Sequence, residues 1–233
     1  MTRRKLPKLI FITLFTVVAV YSLARIGVLN LPTRYDPLAL PDLARPPNFV
    51  TDMQLKLIDA NAENCLLALN RVGLSAVLKT EPTTRSYCSR HETIGLRRLS
   101  RAKIVPEDTR CAIAARFYMW ERHVIQPAAE KYFHEPVAEI LHFGSYSCRT
   151  ISGSTQASQH ATANAFDIAG FKLQSGKIIS LKPDWPKGGT KSTFLREVRD
   201  GACDYFNLTL SPEYNAAHAD HFHVDMGWYR ACN

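Results

Sequence analysis

Apolar residues change their spacing along this chain, and each spacing predicts a different element. Residues Leu9 to Ala24 (LIFITLFTVVAVYSLA) run without a charge for 16 positions. From Thr51 the apolar residues recur at helical intervals through Leu55, Ile58, Leu66 and Leu69. Thr51 or Asp52 can cap that run and Gly73 can end it. Residues 74–104 read as short strands and loops, with Cys88 in a polar stretch. A second helix is expected from Pro106, with Glu107 and Asp108 in its first turn where the helix dipole favours acids. It continues through Ala112, Ala115, Phe117, Met119 and Trp120, and Pro127 kinks or splits it.

Later the period shortens. Val137 to Phe143 is a strand leading into Gly144-Ser145-Tyr146. Ala165 to Phe171 is a second strand, and Gly176 to Leu181 its hairpin partner around Ser175-Gly176. Thr193 to Phe206 is a helix with Phe194, Leu195, Val198 and Cys203 on one side, and His221 to Met226 is the last strand. Helices first and mixed strands later predict an α+β fold: a small, mainly antiparallel sheet flanked by helices. No internal repeat or low-complexity tract interrupts it.

Composition changes the picture mainly at the N-terminus. Arg3, Arg4, Lys5 and Lys8 precede the uncharged run, which is the pattern of a secretory signal. Ser22 and Ala24 place small residues at −3 and −1 of a cut after Ala24. The run is shorter than the roughly 20 residues that span a bilayer. Ile26 to Leu31 extends its apolar character, so residues 1–30 are a cleaved signal peptide or a retained signal-anchor that would make the membrane a partner. Either places the remainder outside the cytoplasm, in the periplasm. Residues 31–50 hold Pro32, Pro37, Pro41, Pro46 and Pro47, a stiff linker or a segment wrapping the domain. Residues 51–233 form one domain.

The formal charge of +8 carries less weight than its size suggests. Four of those positive charges lie in the first eight residues, leaving the exported part only modestly basic. That suits an ordinary solvated surface, or an anionic partner such as an acidic wall polymer. No basic stripe points to nucleic acid. The six cysteines Cys65, Cys88, Cys111, Cys148, Cys203 and Cys232 form no CxxC pair. Behind an export signal, an even count reads as disulfides. Fifteen pairings are open; with three cysteines in each half, at least one bridge must join the halves if all are oxidised.

Two short segments concentrate the chemistry: SQHATANAFD at 158–167 and HADHFHVD at 218–225. On a strand, His221, His223 and Asp225 share one face, while Phe222, Val224 and Met226 share the other and enter the core. Asp167 likewise points away from Phe166 and Ile168, beside the small Ala165 and Ala169. His160 arrives from the loop before. Two imidazoles, one carboxylate and an open position suit catalytic zinc, a donor set other metals also accept. Such an ion acidifies a water and polarises a carbonyl. A nearby base is then needed, and Asp220, His221 and His218 are the candidates. His91, His123, His134 and His142 lack such company and read as surface or structural residues.

Ser158-x-His160-x6-Asp167 followed by Asp220-x-x-His223 resembles the SxHxxGxAxD and (E/D)xxH or HxH pattern of bacterial zinc peptidases that cut wall peptides. Those are D-alanyl-D-alanine carboxypeptidases, dipeptidases and murein endopeptidases. The wider run from Thr51 to Cys232 resembles the bacterial extensin-like C-terminal family. Gly144-Ser145-Tyr146-Ser147-Cys148-Arg149, FLREVRDGACDYF and the cysteine positions all take part in that resemblance.

The resemblance implies that His160, Asp167 and His223 hold one Zn2+ per chain. It implies that Asp220 stands at the acidic base, that His221 and His218 line the site, and that Arg149 contacts the scissile carbonyl or substrate. The expected function is a zinc-dependent peptidase acting on peptidoglycan peptides. The alternative is a non-catalytic wall-binding or structural module that retains the metal. Two residues depart from the pattern. Ala163 stands where the peptidases have glycine, and is strained if that position uses a positive φ. Asp220 is one methylene shorter than glutamate.

Overall fold

The computed structural model describes residues 5–81 and 86–233, with side chains from Ile10 onward. Helix α1 covers Lys5–Arg25. Arg3 and Arg4 of the basic N-terminus lie outside the described residues. Among those described, no helix is long and apolar enough to cross a membrane.

The proline-rich stretch wraps the domain instead of leading away from it. Leu43 is fully buried. Gln54 donates to the carbonyls of Thr33 and Asp36, and Arg122 donates to that of Ala44. The helical pattern from Thr51 resolves into two helices, α2 (Thr51–Asp59) and α3 (Ala62–Arg71). Asn61 divides them because its side chain accepts from the Asn64 amide and caps α3. Gly73, at φ 76°, follows the end of α3 as expected.

Strands β1 (Lys79–Glu81) and β2 (Arg90–Arg98) follow. The helix expected from Pro106 is in fact strand β3 (Lys103–Arg110), and α4 begins only at Cys111, running to Trp120. Tertiary pairing decides this. Thr109 and Glu107 pair with Ile94 and Leu96 of β2. Pro106 falls opposite the register shift between Leu96 and Arg98, a place where a missing N–H is tolerated. After α4 comes a π-helical turn, Glu121–Ile125, and then α5 (Gln126–Phe133). Pro127 thus splits the helix by occupying the first turn of α5.

The remaining elements are β4 (Val137–Gly144), β5 (Ala165–Leu173), β6 (Ile178–Ser180), α6 (Leu181–Asp184), α7 (Gly189–Ala202), β7 (Leu208–Leu210), β8 (Phe222–Asp225) and β9 (Ala231–Cys232). Among the described residues they complete a nine-stranded sheet ordered β1-β2-β3-β4-β5-β8-β7-β9, with β6 also on β5. The fold is α+β as expected. The sheet is larger than expected, because strands on both sides of α4 and α5 join it. It is mainly antiparallel, with parallel pairs at β3–β4 and β7–β9.

The core lies between this sheet and α4, α5 and α7. Phe117 packs edge-on against Phe166 at 5.1 Å. Phe194 meets Phe133 and Phe171, and Trp120 donates to the Val198 carbonyl at 3.0 Å. Bonds from Cys65 to Cys111, Cys88 to Cys148 and Cys203 to Cys232 account for all six cysteines. Cys88–Cys148 is the bridge that joins the halves of the chain. It anchors the loop after β4, whose next residue is Arg149.

Candidate metal centre

The sheet register itself creates half of the site. Asp167 of β5 and His223 of β8 are direct antiparallel partners, so their side chains leave the same face. Their neighbours Phe166, Ile168, Phe222 and Val224 point to the other face and are fully buried. The third residue, His160, comes from a short 3-10 turn, Gln159–Thr162, just before β5. Ser158 caps that turn by accepting from the His160 amide at 3.3 Å. Ala163 closes it at φ 52° and ψ 27°, the left-handed conformation anticipated for the position where the peptidase motif has glycine. Its carbonyl accepts from the Arg110 amide, the Thr109 hydroxyl and the Ser145 hydroxyl. Those three donors hold a conformation that an alanine otherwise disfavours.

Nε2 of His160, Nδ1 of His223 and Oδ1 of Asp167 converge. The separations are 3.1 Å between the imidazoles, 3.1 Å from His160 to Asp167 and 2.9 Å from His223 to Asp167. The outer nitrogens explain why. Nδ1 of His160 lies 2.8 Å from the Ser145 carbonyl, which can only accept. Nε2 of His223 lies 3.0 Å from an Asp225 oxygen, which also accepts. Each outer nitrogen therefore carries a proton, and the inner nitrogens turn lone pairs toward each other and toward a carboxylate. Only a proton or a cation can hold three such acceptors together. Three ligands each about 2.0–2.2 Å from one ion would sit at comparable mutual distances. The donor set fits zinc on chemistry and on spacing.

Electrostatics follow from this crowding. Burial alone would raise the Asp167 carboxyl, but hydrogen bonds from His160 and His223 and their charge hold it well below the usual carboxylate range. Burial works against a charged His223, yet hydrogen bonds to Asp167 and Asp225 push it up to about 9. His218 is pushed down to about 4 by burial and then by charge interactions with His223 and His221, with Arg149 adding to the effect.

The other expected site residues lie around this trio. His221 immediately precedes β8, its Nε2 3.7 Å from Asp167 Oδ1. Its Nδ1 is 2.9 Å from Asp220. The His218 ring is tilted against that of His221 at 5.2 Å and edge-on to that of His223 at 5.8 Å; its Nδ1 meets Asn215 at 2.7 Å. Arg149 is exposed on the loop after β4. Of the histidines read as bystanders, His123 and His142 face the carbonyls of Leu43 and Val105. His134 forms the left-handed cap of α5.

Three supporting residues escaped the sequence reading. Asp225 orients His223 and also accepts from the Gly227 amide; its place on the His223 face was a usable signal. Ser145 anchors His160 through its carbonyl. Glu107 seats the Gly144–Tyr146 turn by accepting from the Ser145 amide at 2.9 Å. Nothing local marked Glu107, which the helical reading had placed in a first turn.

The family described as Extensin-like protein C-terminus matches residues 63–233. That span contains the whole candidate centre. The chain belongs to the extensin-like C-terminal family. Comparison with curated proteins and with solved structures gave no match. The extensin-like match begins within α3, so α2 and the wrapping segment lie ahead of it.

Proposed function

We propose that this extensin-like chain is an exported, zinc-dependent peptidase that hydrolyses amide bonds in cell-wall peptidoglycan peptides. The observation that carries the reading is the convergence of His160, Asp167 and His223 with both outer nitrogens already committed as donors. The wall substrate rests on the likeness of Ser158, His160, Asp167, Asp220 and His223 to the murein peptidase pattern. Export rests on the basic N-terminus, the uncharged run and the complete oxidation of the cysteines, which suits the periplasm.

His160, Asp167 and His223 would hold the ion. When bound, zinc supplies Lewis-acid polarisation and makes a neighbouring water more acidic. The chain's own residues do the rest. Asp220 accepts from Nδ1–H of His221 and so fixes the tautomer that leaves Nε2 a base facing the Asp167 side. His221 accepts a proton as the nucleophile forms and returns it to the departing amine. Arg149 offers a positive charge for the oxygen of the attacked carbonyl. Asp220, expected as the base, acts in this arrangement through His221.

That same contact favours a second reading. With its carboxylate engaged by His221, Asp220 leaves no free acid beside the centre, as suits a wall-binding module that keeps its metal for structure. Metal content and turnover separate the two. The disulfide-bonded chain is expected to hold one zinc, His223→Ala to hold none, and Asp220→Asn to keep zinc while losing hydrolysis of stem peptides. A wild-type chain that takes up no zinc ends both readings. Zinc without hydrolysis, and Asp220→Asn indistinguishable from wild type, selects the binding module.

A further inference from the structure

Beside the metal centre, four rings stand in a continuous row. Phe143, the last side chain of β4 before Gly144, meets the His221 ring at 5.7 Å. His221 meets His218 at 5.2 Å, and His218 meets Tyr214 at 5.6 Å. The two ends are open: Phe143 is 62% exposed and Tyr214 49%. Successive rings are tilted by 46° to 75°, so the row offers alternating faces and edges.

Hydrogen-bonding groups border the row. Asp220, whose side chain is 40% exposed, lies at its middle and Asn215 at the Tyr214 end. Arg149, near enough to act on His218, disfavours a cationic ligand on these ring faces. The exposed rings disfavour a fully charged anion. A neutral, hydroxyl-rich molecule with apolar faces matches both the rings and their polar border.

We propose that the Phe143–His221–His218–Tyr214 row binds the sugar rings of a pyranose oligosaccharide, and so positions the glycan that carries the peptide. This rests on the peptidase reading for its purpose, but binding can be measured without turnover. A glycan lying along the row brings whatever is linked to it toward the converging donors. Phe143 and Tyr214 are therefore positioning residues. Their ring contacts are with His221 and His218, not with the metal ligands.

The test uses the full disulfide-bonded chain supplied with zinc and a peptide-free β-1,4-linked N-acetylglucosamine tetrasaccharide, titrated by calorimetry. Phe143→Ala and Tyr214→Ala should each weaken binding about tenfold and leave zinc content unchanged. Trp228→Ala, which removes a side chain 85% exposed and outside the row, should leave it unchanged. No binding by wild type, or equal losses in all three variants, overturns the proposal. A sugar-free stem peptide keeps the two questions apart. Cleavage of that peptide without tetrasaccharide binding removes the glycan row and leaves the peptidase. Tetrasaccharide binding lost in both variants, with no cleavage by wild type, removes the peptidase and leaves the row.

Discussion

Strands β5 and β8 carry two faces made from alternate residues of the same short segments. On one face, Phe166, Ile168, Phe222 and Val224 are fully buried against α4 and its neighbours. On the other, Asp167 and His223 oppose each other, with Asp225 behind and His221 beside them. The first face is favourable at any pH because it removes apolar surface from water. The second brings polar groups out of water and is favourable only with a charge among them. One pleat therefore supplies stability and its neighbour supplies chemistry.

The largest effect should come from the apolar face. Phe222→Ala leaves a cavity beneath Trp185, whose ring is 5.6 Å away, and should cost about 3–5 kcal/mol in a urea titration. A cost below about 1 kcal/mol would mean that this face is not what holds the strands.

The polar face should respond to pH where the apolar face does not. His223 has a folded pKa raised to about 9 from 6.5. A raised pKa stabilises the protonated folded form. In chain stripped of metal, that contribution is complete below pH 6.5 and is lost as pH climbs through about 9. It amounts to up to about 3 kcal/mol. Zinc replaces the proton, so zinc-loaded chain should lose less over the same range. Denaturation midpoints at pH 6, 7.5 and 9, with zinc or chelator, check this; a flat profile without metal would break the contrast.

Next in size is Asp225→Asn, which keeps the shape beside His223 but removes the negative partner of Nε2–H. Zinc affinity should fall about 10–100-fold in competition with a chromophoric chelator, and the zinc-free chain should lose part of the low-pH stability that His223 draws from Asp225. Asp220→Asn, which changes the partner of His221, should leave affinity near wild type. Equal losses in the two would show that the outer partner of His223 has no special role.

The smallest effect is expected at Ala163. Glycine would relieve left-handed strain of about 1–2 kcal/mol, but loses a buried methyl and adds unfolded-state freedom, each worth roughly 0.5–1 kcal/mol. Ala163→Gly should thus lie within about 0.5 kcal/mol of wild type. A loss above about 2 kcal/mol would show that the methyl itself is needed.

Local pattern determined much of this protein. Alternation in 165–171 and 221–226 placed Asp167 and His223 opposite the core-facing Phe166 and Phe222, because strand geometry has a period of two whatever surrounds it. The run before Gly73, the strand into Gly144 and the α+β class were readable for the same reason. Tertiary structure decided what depends on distant partners. Residues 103–110 became a strand because β2 offered a ladder with a bulge for Pro106. Cys88 found Cys148 among fifteen possible pairings because β2 and the loop after β4 meet in space. Ser145 and Asp225 became the acceptors that turn His160 and His223 inward. Asp220 turned to His221 once the loop before β8 was in place. Spacing along a chain encodes which way a side chain faces, whereas the group it faces is set by contacts far apart in sequence.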